Sequence, residues 1–233
     1  MKKEVFEINI DDITKEEAIK EIERLINTKE QHQISLPYSE FITRAQKDKE
    51  FKNILNSSTL CLCESRGLLI SAFLIKRKLK ENIYGVDLIK ELSKKHKNKI
   101  FLYGASPESL NKTKEKLKIQ KGEHGYQNQK KVIEKIRKEK PEILIVALGS
   151  PKQEEWIYNN LKKIPTVKIA IGVGGAFDFI SKTKPRAPKI MQKIGTEWLW
   201  RLIIQPKRIK RISKGVFGLT YLILKHYTRK VFP

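Results

Sequence analysis

Three short segments of this 233-residue chain join glycines to residues able to hold a phosphate or a sugar. They are Gly104-Ala-Ser-Pro-Glu108, Gly149-Ser-Pro-Lys-Gln-Glu154 and Gly172-Val-Gly-Gly-Ala-Phe-Asp178. Each follows an apolar run of strand length. Glycine lets backbone approach a ligand closely, and the free amides at a following helix N-terminus suit an anion. The third segment is not a dinucleotide fingerprint, because Phe177 stands where the third glycine belongs. Ser150 to Gln153 also matches a capping box with Pro151 at the first helical position, so Gln153 taken alone closes a helix end. A fourth segment, Cys63-Glu-Ser-Arg-Gly67, sets the carboxylate of Glu64 at the end of another apolar run. A carboxylate there serves either as a general base or as a cap on the next helix.

The elements that must position these segments alternate along the chain. Strand-length apolar runs cover Glu4–Ile10, Gln33–Leu36, Thr59–Cys63, Lys99–Tyr103, Glu142–Leu148 and Lys168–Val173. Helical periodicity covers Thr14–Ile26, Glu40–Leu55, Pro107–Leu117 and Lys130–Lys138. Ile143-Leu-Ile-Val-Ala-Leu148 is apolar on both faces, as a parallel strand covered by helices must be. The alternation predicts right-handed crossovers and a doubly wound, Rossmann-like α/β fold with a mostly parallel sheet. In such sheets ligands bind beyond the carboxyl ends of the strands, where all four segments fall.

Composition narrows the class. With 39% hydrophobic and 32% charged residues, the chain reads as globular rather than as a membrane bundle or a disordered tail. Cys61 and Cys63 are spaced to share one face of a strand, which is neither a zinc-ligand spacing nor a disulfide framework. Neither a signal peptide nor a run of about 20 apolar residues is present, so the chain is expected to stay on the cytoplasmic side. Net charge is +23, and residues 182–233 hold fourteen Lys or Arg against the single acid Glu197. An anionic partner follows: nucleic acid, an acidic membrane surface or a phosphorylated substrate. Composition shifts near Lys182, and we divide the chain into an α/β domain over 1–194 and a basic, amphipathic appendage over 195–233. Aromatic and aliphatic residues among cations, such as Trp198, Trp200, Phe217 and Tyr221, suit an interfacial segment.

Gly149-Ser-Pro-Lys-Gln-Glu154 followed by Trp156 resembles the WecG/TagA/CpsF family of glycosyltransferases. So do Gly172-Val-Gly-Gly-Ala-Phe-Asp-Phe179, Arg186-Ala-Pro188, Glu197-Trp-Leu-Trp-Arg201 and Pro206-Lys-Arg208, in order and spacing. Upstream, Glu40-Phe41, Ala45-Gln46, Asp48, Phe51 and Gly85-Val-Asp87 extend the resemblance over nearly the whole chain. Three positions depart from the family pattern. Leu36-Pro-Tyr38 replaces Thr-Pro-Asn, Cys63-Glu64-Ser65 replaces Pro-Asp-Gly, and Asn82 replaces an arginine.

The resemblance implies an inverting, metal-independent transfer of N-acetylmannosamine or a related sugar from a UDP-sugar. The acceptor it implies is N-acetylglucosamine linked by diphosphate to a polyprenol, with no cofactor. The chain has no Asp-x-Asp, the metal–nucleotide signature of many other glycosyltransferases. Glu64 falls at the family's catalytic acid, and Arg201, Arg208 and Arg211 match arginines that would meet the leaving diphosphate. Tyr38, Asn82, Asp87, Gly104, Gln153, Gly174 and Asp178 fall at substrate-binding positions. Two rival readings stand beside this one: a catalytically inactive family member acting as a membrane-bound scaffold, and a basic nucleic-acid-binding α/β protein. No nucleic-acid-binding motif supports the latter.

Overall fold

The computed structural model describes residues 1–206 and 209–231. The strand expected over Glu4–Ile10 is a hairpin of β1 (Lys2–Val5) and β2 (Ile8–Asp11). Phe6 and Glu7 carry φ of 50° and 65°, and two successive left-handed residues reverse the chain in a two-residue turn.

Six parallel strands form the main sheet: β3 (His32–Ser35), β4 (Leu60–Cys61), β5 (Ile100–Gly104), β6 (Lys121–Glu123), β7 (Ile143–Ala147) and β8 (Ile169–Gly172). Their spatial order is β4-β3-β8-β7-β5-β6. Helix α1 (Lys15–Ile26) leads from the hairpin into the sheet, helices α2 (Ser39–Ala45), α3 (Lys49–Ser57), α4 (Arg66–Leu74), α5 (Gly85–His96), α6 (Pro107–Leu117), α7 (Gln129–Glu139) and α8 (Lys152–Asn160) fill the crossovers, and α9 (Ala176–Ser181) follows β8. Three more follow: α10 (Lys189–Ile194), α11 (Glu197–Ile204) and α12 (Ile209–Val231). The chain is α/β and doubly wound, as the alternation predicts. The single helix expected over Glu40–Leu55 is broken instead, because the Asp48 carboxylate accepts from the Phe51 amide and starts α3 afresh.

Both sheet faces are covered. Ile143 and Ile145 point into one core with Ile22 of α1 and Phe177 of α9. Their neighbours Leu144 and Val146 point into another with Val132 of α7 and Trp156 of α8. A third core joins the hairpin to α2, α3 and α4 and holds Cys61 and Cys63 together, on the one face that their spacing predicts. Leu219 and Leu222 of α12 are buried in this third core. Helix α12 lies against α2 so closely that a Cβ on Gly218 would stand 2.5 Å from Thr43 Cγ2. Among the described residues no helix is long and apolar enough to cross a membrane.

Candidate active site

The loops beyond the carboxyl ends of β3, β4, β7 and β8 meet where strand order reverses, around β3 and β8. They enclose a cleft of about 610 Å³ walled by Tyr38, Glu64, Gly149, Ser150, Gln153, Gly174, Arg201 and Arg211. Six of the expected site residues, from the loops after β3, β4, β7 and β8 and from the C-terminal segment, therefore converge. A second cavity of about 920 Å³ adjoins it, between the start of α4, the α10–α11 turn and the first turns of α12. Tyr38, Glu64, Tyr84, Glu197, Arg201 and Arg211 line both cavities.

Glu64 stands on this shared wall. Its Oε1 accepts from the Gly85 amide at 3.1 Å, at the N-terminus of α5. A side chain on residue 85 would meet that oxygen at 3.1 Å and Leu36 at the same distance, so glycine gives the carboxyl its seat. Burial pushes the Glu64 pKa up to about 7, opposed by Arg201 and by the Gly85 hydrogen bond. A carboxyl at that value exchanges protons readily at neutral pH.

Gln153 does not close the capping box that its spacing suggests. Its Oε1 accepts from the amides of Gly149 at 3.1 Å and Gly174 at 2.8 Å, joining the two glycine loops. Gly174 has φ of 54°, a left-handed conformation that favours glycine. The Gln153 amide nitrogen donates to Glu154 Oε1 at 2.6 Å. Glu154 is fully buried, and burial raises its pKa to about 8 against the Gln153 hydrogen bond, so the carboxyl is mostly protonated at neutral pH.

Cations frame the cleft. Arg201 stacks on Phe179 at 5.1 Å and pairs with Glu197 at 3.1 Å. Arg211 donates to Glu40 at 2.9 Å and to the Ser150 carbonyl at 3.3 Å, fastening α12 to the loop after β7. Arg208 lies outside the described residues. Tyr38 is enclosed beside Glu40, and burial raises its pKa, so its hydroxyl stays protonated.

The remaining expected residues lie off the cleft wall. Asp87 pairs with Arg186 at 3.4 Å, and Arg186 stacks over Tyr84 at 5.1 Å, so Asp87 reaches the cleft through an arginine. Asn82 has its Nδ2 buried and its side chain in hydrogen-bonding contact with Tyr84. Asp178 accepts from Ser109 at 3.0 Å and pairs with Lys184, tying α9 to α6. Gly104 packs on β7, where a Cβ would stand 2.5 Å from the Ala147 carbonyl oxygen, so its glycine serves the sheet. Tyr84, Phe179, Arg186 and Glu197 are cleft residues that the sequence reading missed. Phe179, Arg186 and Glu197 lie inside recognised motifs, and that was the available signal. Tyr84 had none. Among the described residues no three His, Cys, Asp or Glu side chains gather to hold a metal.

An open parallel sheet whose loops gather a carboxyl, arginines and glycine turns into one cleft suits a transferase acting on an anionic donor. The comparison with known proteins is specific: the glycosyl transferase WecG/TagA/CpsF family description matches residues 3–231, and the chain belongs to that family. Its relatives include an N-acetylglucosaminyldiphosphoundecaprenol N-acetyl-beta-D-mannosaminyltransferase of Bacillus subtilis (strain 168). The two are 34% identical over 212 residues, 86% of this chain and 82% of the relative. Proteins of the same name from Bacillus spizizenii and Staphylococcus aureus (strain NCTC 8325 / PS 47) are 31% and 29% identical. They align over 81% and 80% of this chain, and each over 77% of its own length. The chain is a glycosyltransferase.

Proposed function

We propose that this enzyme transfers N-acetylmannosamine, or a closely related sugar, from its UDP donor to a polyprenyl-diphosphate-linked N-acetylglucosamine, with inversion. The carrying observation is that Glu64 faces both cavities from their shared wall. The glycine-lined cleft suits the nucleotide sugar, and the larger, more apolar cavity suits the acceptor. In the reaction the ionised Glu64 takes the proton of the acceptor hydroxyl. The acceptor oxygen bonds to the anomeric carbon from the face opposite the leaving group. The bond from that carbon to the diphosphate oxygen breaks, and its electron pair leaves with UDP.

Arg201 and Arg211, with Arg208, supply the positive charge that the departing diphosphate needs, in place of a divalent metal. Gln153 holds the two glycine loops at the spacing the donor enters. Tyr38, where the family usually has asparagine, borders both cavities and tunes which sugar fits. The lipid acceptor requires the enzyme to work at a bilayer, and the basic C-terminal segment supports docking on the anionic cytoplasmic face. A panel of nucleotide sugars, assayed by nucleotide release with a soluble diphosphate-linked N-acetylglucosamine acceptor, tests the reading. Release dependent on both UDP-N-acetylmannosamine and acceptor is expected. Turnover only with a different nucleotide, or independent of acceptor, would overturn it.

A further inference from the structure

Helix α4 belongs to the sheet domain, outside the basic C-terminal segment, yet its solvent side is apolar. It buries Leu68 and Ala72 in the third core and leaves Ile70, Phe73 and Leu74 exposed at 46%, 62% and 42%. A short surface helix with apolar residues on both sides has no use for its outer stripe in water. Nine residues span only about 13 Å, far too little to cross a bilayer. Charge on this segment is one-sided. Between Glu64 and Glu81 stand Arg66, Lys76, Arg77, Lys78 and Lys80 with no acid. Lys76, Arg77 and Lys78 are exposed directly beyond the end of α4.

The helix also leads away from the second cavity. Its first residues, Arg66 and Gly67, line that cavity together with Gly215 and Val216 of α12. Farther along, the Tyr227 hydroxyl donates to the Leu74 carbonyl. The two helices therefore leave the cavity side by side in the same direction, and α12 shows Phe217, Tyr221 and Leu224 to solvent along the way. The turn after α10 reaches α4 as well, with the Cβ position of Gly195 lying 3.8 Å from Ile70 Cδ1.

The geometry points to α4 as a second membrane-inserting element: Ile70, Phe73 and Leu74 enter the headgroup region of an anionic bilayer, with the cations beyond the helix on the lipid phosphates. This rests on the lipid-linked acceptor proposed above. It adds that the acceptor's hydrocarbon leaves the second cavity between α4 and α12, directly into the bilayer. The enzyme is then oriented through two contacts instead of one.

The test uses the full chain, with a nitroxide label on Phe73→Cys and, as control, on Tyr126→Cys. Cys61 and Cys63 are buried at 0% and 2% exposure, so only the added thiol reacts. Tyr126 follows β6, at the sheet edge opposite β4. On vesicles of phosphatidylglycerol and phosphatidylcholine, the label at 73 should lose about tenfold of its accessibility to a water-soluble relaxant, while the label at 126 keeps its own. Phe73→Asp, its fold checked by an unchanged Tm, should weaken vesicle partition at least about tenfold. Vesicles of phosphatidylcholine alone should bind at least about tenfold less.

Equal accessibility of both labels on vesicles would overturn the assignment, as would unchanged partition of Phe73→Asp. Protection of position 73 without vesicles, rising with protein concentration, would mean that a second copy covers α4 and would also overturn it. None of these readouts involves sugar transfer. A chain that inserts α4 yet transfers no sugar would refute only the proposed reaction.

Discussion

Replacing Glu64 with glutamine should move activity and stability in opposite directions. The amide keeps the shape of the carboxyl and can still accept from the Gly85 amide, but it cannot take a proton. Loss of a positioned general base lowers turnover by ~10²–10⁴-fold, with donor binding nearly unchanged. The stability change follows from the raised pKa. Moving the carboxyl from its ordinary value near 4.5 to about 7 disfavours the ionised form in the fold by about 3 kcal/mol. Between those values the folded chain binds more protons than the unfolded one, so stability falls as pH rises and levels off above about 7. Solvent in the cleft screens part of this, leaving a gain of about 1–3 kcal/mol for Glu64→Gln at pH 8. The gain should vanish below pH 4.5. Wild-type kcat/KM should rise about tenfold per pH unit up to about 7 and then level, because the base must be ionised. Stopped nucleotide-release assays and thermal melts across this range measure both arms. A Glu64→Gln enzyme with near wild-type turnover, or one less stable than wild type at pH 8, would refute the reasoning.

Four further outcomes can be checked. Glu154→Gln should stay near wild type, since an amide oxygen can accept from Gln153, whereas Glu154→Leu strands that donor and should raise the donor KM about tenfold. Arg211→Lys should lower kcat about tenfold or more, because lysine cannot hold Glu40 and the Ser150 carbonyl while facing a diphosphate; steady-state kinetics decide. EDTA should leave the rate unchanged, and a loss restored by Mg²⁺ or Mn²⁺ would reassign the stabilisation of the leaving group. Gly218→Val should force α12 off α2, lowering transfer even to a soluble acceptor while far-UV circular dichroism of the sheet domain persists.

Much of the architecture is legible in the chain itself. The strand at Ile143–Ala147 announces itself because a parallel strand covered on both sides must be apolar throughout. The turn at Ser106-Pro107 announces its helix through capping chemistry. Other elements are silent. Strand β6 is Lys-Gly-Glu and carries no apolar signal; only its ladder to β5 makes it a strand. The hairpin at Phe6-Glu7 lacks glycine or asparagine, so two left-handed residues are hidden in what reads as one strand.

At the candidate site the division is sharper. Sequence by itself determined which residue types were available and, by resemblance, that Glu64, Gln153, Arg201 and Arg211 belong together. Tertiary structure alone decided how. Gln153 fits a local capping box and a bridge between two glycine loops equally well in sequence, because a side-chain amide accepts from any donor within reach. The fold brings the Gly174 amide to 2.8 Å and selects the bridge. Glu64 and Glu154 are ordinary glutamates in the chain, and their raised pKa values come from burial, which no local spacing encodes. Arg186 reaches Asp87 across 99 residues because crossover connections, not sequence distance, set which loops share the carboxyl end of a parallel sheet.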